Sequence, residues 1–286
     1  MELVNKLDII TCSLRRDLPL ARLALDGVKK HFNAGKISVV TPLSAFAECR
    51  QVLGSEVELL DERDLSEGMS LSDLEKKEGI EGFPKRAGWY LQQIAKLGYA
   101  LRGDPNGYYL IWDCDTVPLR PLNFFTSDDR PLYTLADEKN SPYFQTYERL
   151  FGYRPNYIGS FISQHGMVEK KVAREMLAEI SARHPTEENW CWAIIANLAP
   201  VSSLSLFSEY ETYGNYVNTR YPETIAFRRL PWLREGAAYT QTTRPTQHLL
   251  DELAQQYYFA SFETWQLANT RSVRSSLRSL ASRLFR

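Results

Sequence analysis

The chain has 286 residues with 44% hydrophobic side chains, enough for one large domain or two small ones with a real core. Its formal net charge of -1 argues against a dedicated nucleic-acid binder, and its 12% aromatic content argues against disorder. Four scattered cysteines, with no CxxC pair, support neither a zinc site nor a disulfide framework; they read as reduced, mostly buried thiols of a cytoplasmic protein.

The opening residues contain no long apolar stretch of the secretory type, and no run reaches 18 apolar residues. LDIITC, from Leu7 to Cys12, reads as the first strand. Leu20, Leu23, Ala24 and Val28 then recur at helical spacing. KISVVTP is a second strand stopped by Pro42, AFAECRQVLG a helix closed by Gly54, and VELLDE a third strand. Strands alternating with helices predict an α/β fold with a mostly parallel central sheet. The polar, glycine-punctuated stretch LSEGMSLSDLEKKEGIEGFPK predicts a surface excursion. A helix follows over RAGWYLQQIAKLGYAL, then the turn RGDPNG, then a strand over Tyr108–Trp112.

Further on, RPLNFFTSDDRPLYTLAD predicts a turn and a strand, and NYIGSFISQHG a strand pair or a strand and turn. MVEKKVAREMLAEISAR and ENWCWAIIANLA read as helices, the second more buried. A strand near Thr224–Arg229 and a helix over Thr246–Ala254 complete a domain over residues 1–260. Residues 261–286 are predicted as a basic amphipathic helical extension. From Arg271 to Arg286 it carries five arginines and no acid, bordering Leu277, Leu280, Leu284 and Phe285. That pattern suits an anionic membrane surface first, packing on its own domain second and nucleic acid last.

The chemistry starts at YYLIWDCDTVPLRPL, where an apolar strand ends in Asp113 and Asp115. An unpaired carboxylate cannot stay ionised inside a sheet, so the pair belongs at the exposed C-terminal end of its strand. Ligands of open α/β sheets sit outside those ends. In an extended chain the i and i+2 side chains share a direction, giving a hard-oxygen site suited to Mg2+ or Mn2+.

WDCDTVPLRPL resembles the DxD region of GT-A (Rossmann-like) glycosyltransferases that use nucleotide sugars. The GWYLQQIAKL helix and SEYETYGNY segment resemble an uncharacterised bacterial family near the lipopolysaccharide and polysaccharide transferases. The resemblance spans residues 7 to 230. It implies an enzyme that moves a sugar from a nucleotide-diphosphate donor to a glycan or lipid-linked glycan, and the basic extension adds a peripheral place at the inner face of the cell membrane for a cytoplasmic protein. It places the donor against Thr11, Ser13 and Arg15 (or Arg16) after the first strand, and against Gln92 and Lys96 on the helix before the DxD. Asp113 would meet ribose and, through water, the metal; Asp115 would chelate Mn2+ or Mg2+ directly. His165 or His248 would be the third ligand, with contact to acceptor or diphosphate an alternative for His165.

An inverting transferase needs a general base. Glu211 and Glu209 are the candidates, sharing a cleft if SEYETYGNY is extended and diverging if it is helical; Tyr210, Tyr213, Asn215 and Tyr216 would form a sugar-binding wall. Asp137 and Glu138 are an alternative acidic strand end for the acceptor. Inversion is favoured over retention. A nucleotidyltransferase is the other enzyme class, disfavoured because TCSLRRDL lacks a glycine- and lysine-rich phosphate loop; an inactive carbohydrate-binding protein is the non-enzyme alternative.

Overall fold

β-Branched and aliphatic runs become strands, and the stripes at helical spacing become helices. The computed structural model describes residues 6–77, 83–203 and 205–267. In chain order it holds β1 (Leu7–Cys12), α1 (Leu18–His31), β2 (Ala34–Val40), α2 (Phe46–Leu53), β3 (Glu58–Leu60), α3 (Leu71–Glu75) and α4 (Phe83–Gly98). Next come β4 (Tyr108–Trp112), β5 (Thr116–Pro118), β6 (Leu132–Thr134), α5 (Ser141–Phe151), β7 (His165–Glu169), α6 (Lys170–Arg183) and α7 (Trp190–Ala196). The remainder is α8 (Glu209–Arg220), β8 (Ala226–Arg228), α9 (Gly236–Thr240), α10 (Gln247–Leu253) and β9 (Phe259–Ser261).

The chain divides into two compact units. The first comprises residues 1–15, 33–113 and 123–229, the second residues 16–32, 114–122 and 230–286. Its described residues do not include 268–286, where most of the expected basic extension lies.

The first unit is built on a five-stranded sheet in the order β3-β2-β1-β4-β7. β1, β2, β3 and β4 run parallel, and β7 is antiparallel to β4, with Trp112 opposite His165. This is the expected α/β fold with a mostly parallel sheet. Ile9, Val39, Tyr109 and Leu110 are fully buried, as strands covered on both faces require. α4 buries Tyr90, Leu91, Ile94 and Leu97 along its inner side.

Three local expectations change. Residues 65–77 are not a loose surface excursion: Leu65, Ser66, Met69 and Leu74 are buried, and Ser70 and Asp73 form a reciprocal capping box for α3. Met167–Glu169 belongs to β7, so its helix starts at Lys170. SEYETYGNY is helical, and α8 buries every residue from Glu209 to Asn218. No period is visible there because no side faces water.

α4 approaches the turn at Leu65 so closely that a Cβ on Gly98 would lie 1.7 Å from the Leu65 carbonyl oxygen. Backbone cannot rotate aside, so Gly98→Ala is expected to cost about 1–3 kcal/mol or more. Urea unfolding would show this as a lower midpoint; an unchanged midpoint would mean that α4 slides freely at this contact.

The second unit pairs β5 with β9 in antiparallel register, Thr116 opposite Ser261 and Pro118 opposite Phe259. α1 lies over β5 at Gly27, where a Cβ would be 2.8 Å from Pro118. Leu20, Val117, Leu119, Ala237, Leu250, Leu253, Ala260 and Phe262 form its core. Among the described residues no helix is long and apolar enough to cross a membrane.

Candidate functional site

In the first unit's sheet, the chain moves outward from β1 through β2 to β3, then returns to place β4 on the other side of β1. The gap between the C-terminal ends of β1 and β4 is therefore a switch point, where open α/β sheets hold ligands. Cys12 ends β1, and Asp113 directly follows β4.

A buried charged cluster occupies this place. Lys96, only 5% exposed, comes from the last turn of α4. Its ammonium donates to Asp113 Oδ1 at 2.5 Å and to Glu209 Oε1 at 2.8 Å. The Tyr210 hydroxyl donates to the same Asp113 oxygen at 2.9 Å, and its ring lies 5.1 Å from the ammonium. Burial alone would lower the Lys96 pKa; Asp113 and Glu209 outweigh it and hold the group well above its ordinary range. Burial raises the Glu209 carboxyl, with Lys96 pulling it back and Asp113 pushing it further up. Such a cluster persists only because each charge has a partner. Asp113, with 19% of its side chain exposed, is the member that reaches solvent.

Neighbouring groups fix this cluster. Gln93 accepts from the Glu209 backbone N–H at 3.2 Å and donates to the Trp89 carbonyl at 3.2 Å, tying α8 to α4. The Asp113 N–H donates to Gln164 at 3.0 Å. The Cys12 thiol lies 3.6 Å from the Gln92 carbonyl, and burial pushes its pKa up to about 12. It is a buried thiol, not a nucleophile. A cavity of about 10 Å³ borders Glu209, Tyr210, Thr134 and His165, room for about one water molecule.

Because α8 is helical, Glu209 and Glu211 diverge. Glu211 accepts from Ser160 Oγ at 2.6 Å and from Asn215 Nδ2 at 2.9 Å. Ser160 is itself fixed, its oxygen accepting from the Ile162 N–H at 3.1 Å. Burial lifts the Glu211 carboxyl to about 7 despite the Ser160 and Asn215 hydrogen bonds, and the nearby Glu138 adds to the rise. Asn215 Oδ1 is buried without a hydrogen-bond partner among the described residues. Tyr210, Tyr213, Asn215 and Tyr216 are buried packing and hydrogen-bonding groups, not the exposed sugar-binding wall expected from their spacing.

The other expected donor contacts are distributed unevenly. Thr11 and Ser13 are buried at the end of β1, and Thr11 Oγ1 has no partner among the described residues. Ser13 Oγ donates to the Leu14 carbonyl at 3.4 Å. Arg15 reaches the Ser44 carbonyl and lies 3.3 Å from Glu48. Gln92 is half-buried. Arg16 belongs to the second unit and pairs with Asp17 at 3.6 Å. Asp137 is 90% exposed and pairs with Arg229 at 2.5 Å.

The expected metal ligands are divided between the two units, Asp113 and His165 in the first and Asp115 and His248 in the second. His165 is buried and stacked on Trp112, with ring centroids 5.0 Å apart. Its Nε2 bonds with Thr134 at 3.0 Å and its Nδ1 with the Ser163 carbonyl at 2.9 Å, leaving neither nitrogen to ligate. Burial, helped by Arg228, lowers its pKa to about 3, so it is a neutral structural imidazole. Asp113 already faces an ammonium. In the second unit, Asp115 Oδ1 accepts from Thr116 at 3.3 Å, and exposed His248 lies 3.6 Å from Glu252. Among the described residues no group of three or more His, Cys, Asp or Glu side chains is arranged to hold a metal ion.

Sequence reasoning passed over Ser160, Gln93 as a link between helices, and Glu263. The Asp115 carbonyl accepts from the Phe262 N–H at 2.8 Å, so the chain next to Glu263 runs beside Asp115 within the second unit. Only the β5–β9 pairing reveals this, across more than a hundred residues of sequence.

A family described as "Family of unknown function (DUF6492)" matches residues 5–273. No curated protein sequence matches the chain. Among solved structures, it is similar to mouse xyloside xylosyltransferase 1 in its apo form, at 11% identity and TM-score 0.46, covering 92% of this chain and 99% of that one. It is similar to the galactosyltransferase LgtC in complex with donor and acceptor sugar analogues, at 11% identity and TM-score 0.45, covering 90% and 87%. The glycosyltransferase GlyE of Streptococcus pneumoniae gives 12% identity and TM-score 0.38, covering 91% and 55%.

Proposed function

The chain belongs to DUF6492, a family of unknown function, and we propose that it is a nucleotide-sugar-dependent glycosyltransferase acting on a hydroxyl of a bacterial cell-envelope glycan, free or lipid-linked. The observation that carries this reading is Asp113, held by Lys96 and Tyr210 at the switch point between β1 and β4. A carboxylate fixed in this way accepts hydrogen bonds from ribose or sugar hydroxyls without reorganising when they arrive. Thr11, Ser13 and Gln92 add polar groups on β1 and α4, and Arg15 adds positive charge for the diphosphate.

Glu211 is the base in this reading, on an acceptor side separate from the Lys96–Glu209 cluster because α8 turns the two carboxylates apart. A carboxyl lifted to about 7 can take a proton near neutral pH. In the inverting reaction the acceptor oxygen attacks the anomeric carbon as its proton passes to Glu211. The bond from that carbon to the phosphate oxygen breaks, and its electron pair leaves with the nucleoside diphosphate. Glu209 serves Lys96 and takes no part in proton transfer.

The test is a thermal-shift panel of nucleoside diphosphates and their sugars, followed by assay of the binders for transfer. One donor is expected to raise the melting temperature through mass action, and Asp113→Asn to abolish that rise while leaving the unliganded protein folded. If the whole panel leaves melting unchanged, the donor site is wrong. A second reading rests on the internal partners already held by Asp113, Glu209 and Glu211: a sugar-binding protein without turnover. Binding with neither transfer nor donor hydrolysis would select it.

A further inference from the structure

We propose that Ser160 is the positioning residue of the acceptor-side base: from the segment before β7, its hydroxyl aims the Glu211 carboxylate and holds it ready to take a proton. This rests on the reading of Glu211 as the base and adds what sets that base's working range. The polar atoms of Ser160 are all committed. Its N–H donates to the Ala136 carbonyl at 3.0 Å, and its carbonyl accepts from the Ala136 N–H at 2.8 Å. This isolated bridge pins Ser160 to the chain that follows β6. Its Oγ accepts from the Ile162 N–H at 3.1 Å, so the hydroxyl proton is left for Glu211 Oε1, 2.6 Å away. Ser160 is fully buried, and solvent does not compete for that proton.

Glu211 has a second side-chain donor. Asn215 Nδ2 reaches Oε2 at 2.9 Å, and its orientation is fixed because it also donates to the Glu211 carbonyl at 2.8 Å. Asn215 lies one turn along the same helix, so it travels with Glu211 and leaves the carboxylate free to move with α8. Ser160 brings its donor from a different segment, and so fixes the carboxylate against the rest of the first unit.

The same contact bears on the proton. A buried carboxyl favours its neutral form, whereas donors aimed at it favour the ion. Burial lifts the Glu211 carboxyl to about 7; Ser160 opposes that lift most strongly, then Asn215 and the Phe161 backbone, while Glu138 after β6 adds to it. Beside Gly159, Arg229 is paired with Asp137. Glu138, Asp137 and Arg229 lie outside the Ser160–Glu211 contact and are untouched by a substitution of Ser160. Removing the hydroxyl therefore moves the ionisation of Glu211 to higher pH, which a serine that only filled space would not do.

The experiment uses the full chain and needs no substrate. Urea unfolding across the pH range gives the stability difference made by Glu211→Gln, first with Ser160 in place and then in the Ser160→Ala background. The Ile162 N–H loses its acceptor in both members of the second pair, so that cost cancels. With Ser160 the difference is expected to stop growing near pH 7, and with Ser160→Ala about one pH unit higher, the worth of one hydrogen bond to a charged group. Ser160→Thr, which keeps the hydroxyl, is expected to bring the plateau back toward 7. In the transfer assay the acid limb of the pH–rate profile should move with it, giving roughly fivefold less activity at pH 7 and recovery by about pH 9. A plateau that stays near pH 7 in Ser160→Ala overturns the proposal. So does one that Ser160→Thr moves as far as Ser160→Ala does. If the stability plateau moves while the rate profile stays put, Ser160 still governs Glu211, and it is the reading of Glu211 as the base that fails.

Discussion

Glu211→Gln is expected to lower sugar transfer roughly 10²- to 10⁴-fold, the usual worth of a positioned general base, while making the protein more stable at neutral pH. The two effects share one cause. Burial raises the Glu211 carboxyl from 4.5 to about 7. Below pH 4.5 the group is protonated in both the folded and unfolded chains and has no effect on stability. Between 4.5 and 7 the folded chain keeps a proton that the unfolded chain releases, so stability falls as pH rises. Above 7 the full penalty persists, about 3 kcal/mol for a shift of this size. Glutamine cannot ionise, so the variant's advantage should grow from pH 4.5 to 7 and then level off. Ser160 can still donate to the glutamine carbonyl, and turning the Asn215 amide brings its unpartnered Oδ1 toward the new N–H. Chemical denaturation of both proteins across this range, beside the wild type's pH–rate profile, provides the check. The profile should lose activity on its acid side with an apparent pKa near 7. A variant that retains full activity, or is less stable at every pH, would remove Glu211 from the mechanism.

Lys96→Met should be among the most damaging single changes in the first unit. Methionine fills most of the volume but leaves Asp113 and Glu209 facing each other without their shared cation. Breaking a buried ion pair from one side costs about 3–5 kcal/mol. Burial raises the Glu209 carboxyl, so the loss should be greatest at alkaline pH and shrink as the pH falls, because a protonated Glu209 needs no counter-ion. Adding Glu209→Gln should recover part of it at high pH. Guanidinium unfolding of the single and double variants at both ends of the range measures this. Equal losses at every pH, or a loss below about 1 kcal/mol, would show that the cluster is solvated and its ion pairs weak.

The strands and their order of appearance were legible because apolar runs and turn residues are local signals. LDIITC, KISVVTP and YYLIW all form strands where their composition placed them, and Asp113 stands at the mouth of β4. Other features were hidden for physical reasons. α8 is rich in Tyr, Thr, Gly and Asn, poor helix formers held in place by tertiary burial. A helix buried all round shows no period. The Lys96–Glu209 bond spans 113 residues, and no spacing rule reaches that far. His165 is a ligand candidate only through the family resemblance, and its place in β7 opposite Trp112, which makes it a packed imidazole, is a pairing that no local signal shows. The capping box at Ser70 and Asp73 was a readable signal that the surrounding glycines and charges obscured.

β7 has one more consequence. Because it is antiparallel to β4, its one neighbour in the sheet, the chain enters it at the rim where β4 leaves, and the Gln164 carbonyl holds the Asp113 N–H there. The stretch from 153 to 158 can therefore be lengthened, shortened or exchanged without rebuilding any crossover helix, whereas residues 159–164 are buried and have to be kept. For laboratory evolution of a new acceptor preference, that arch is the natural place to diversify, with Ser160 kept to hold Glu211.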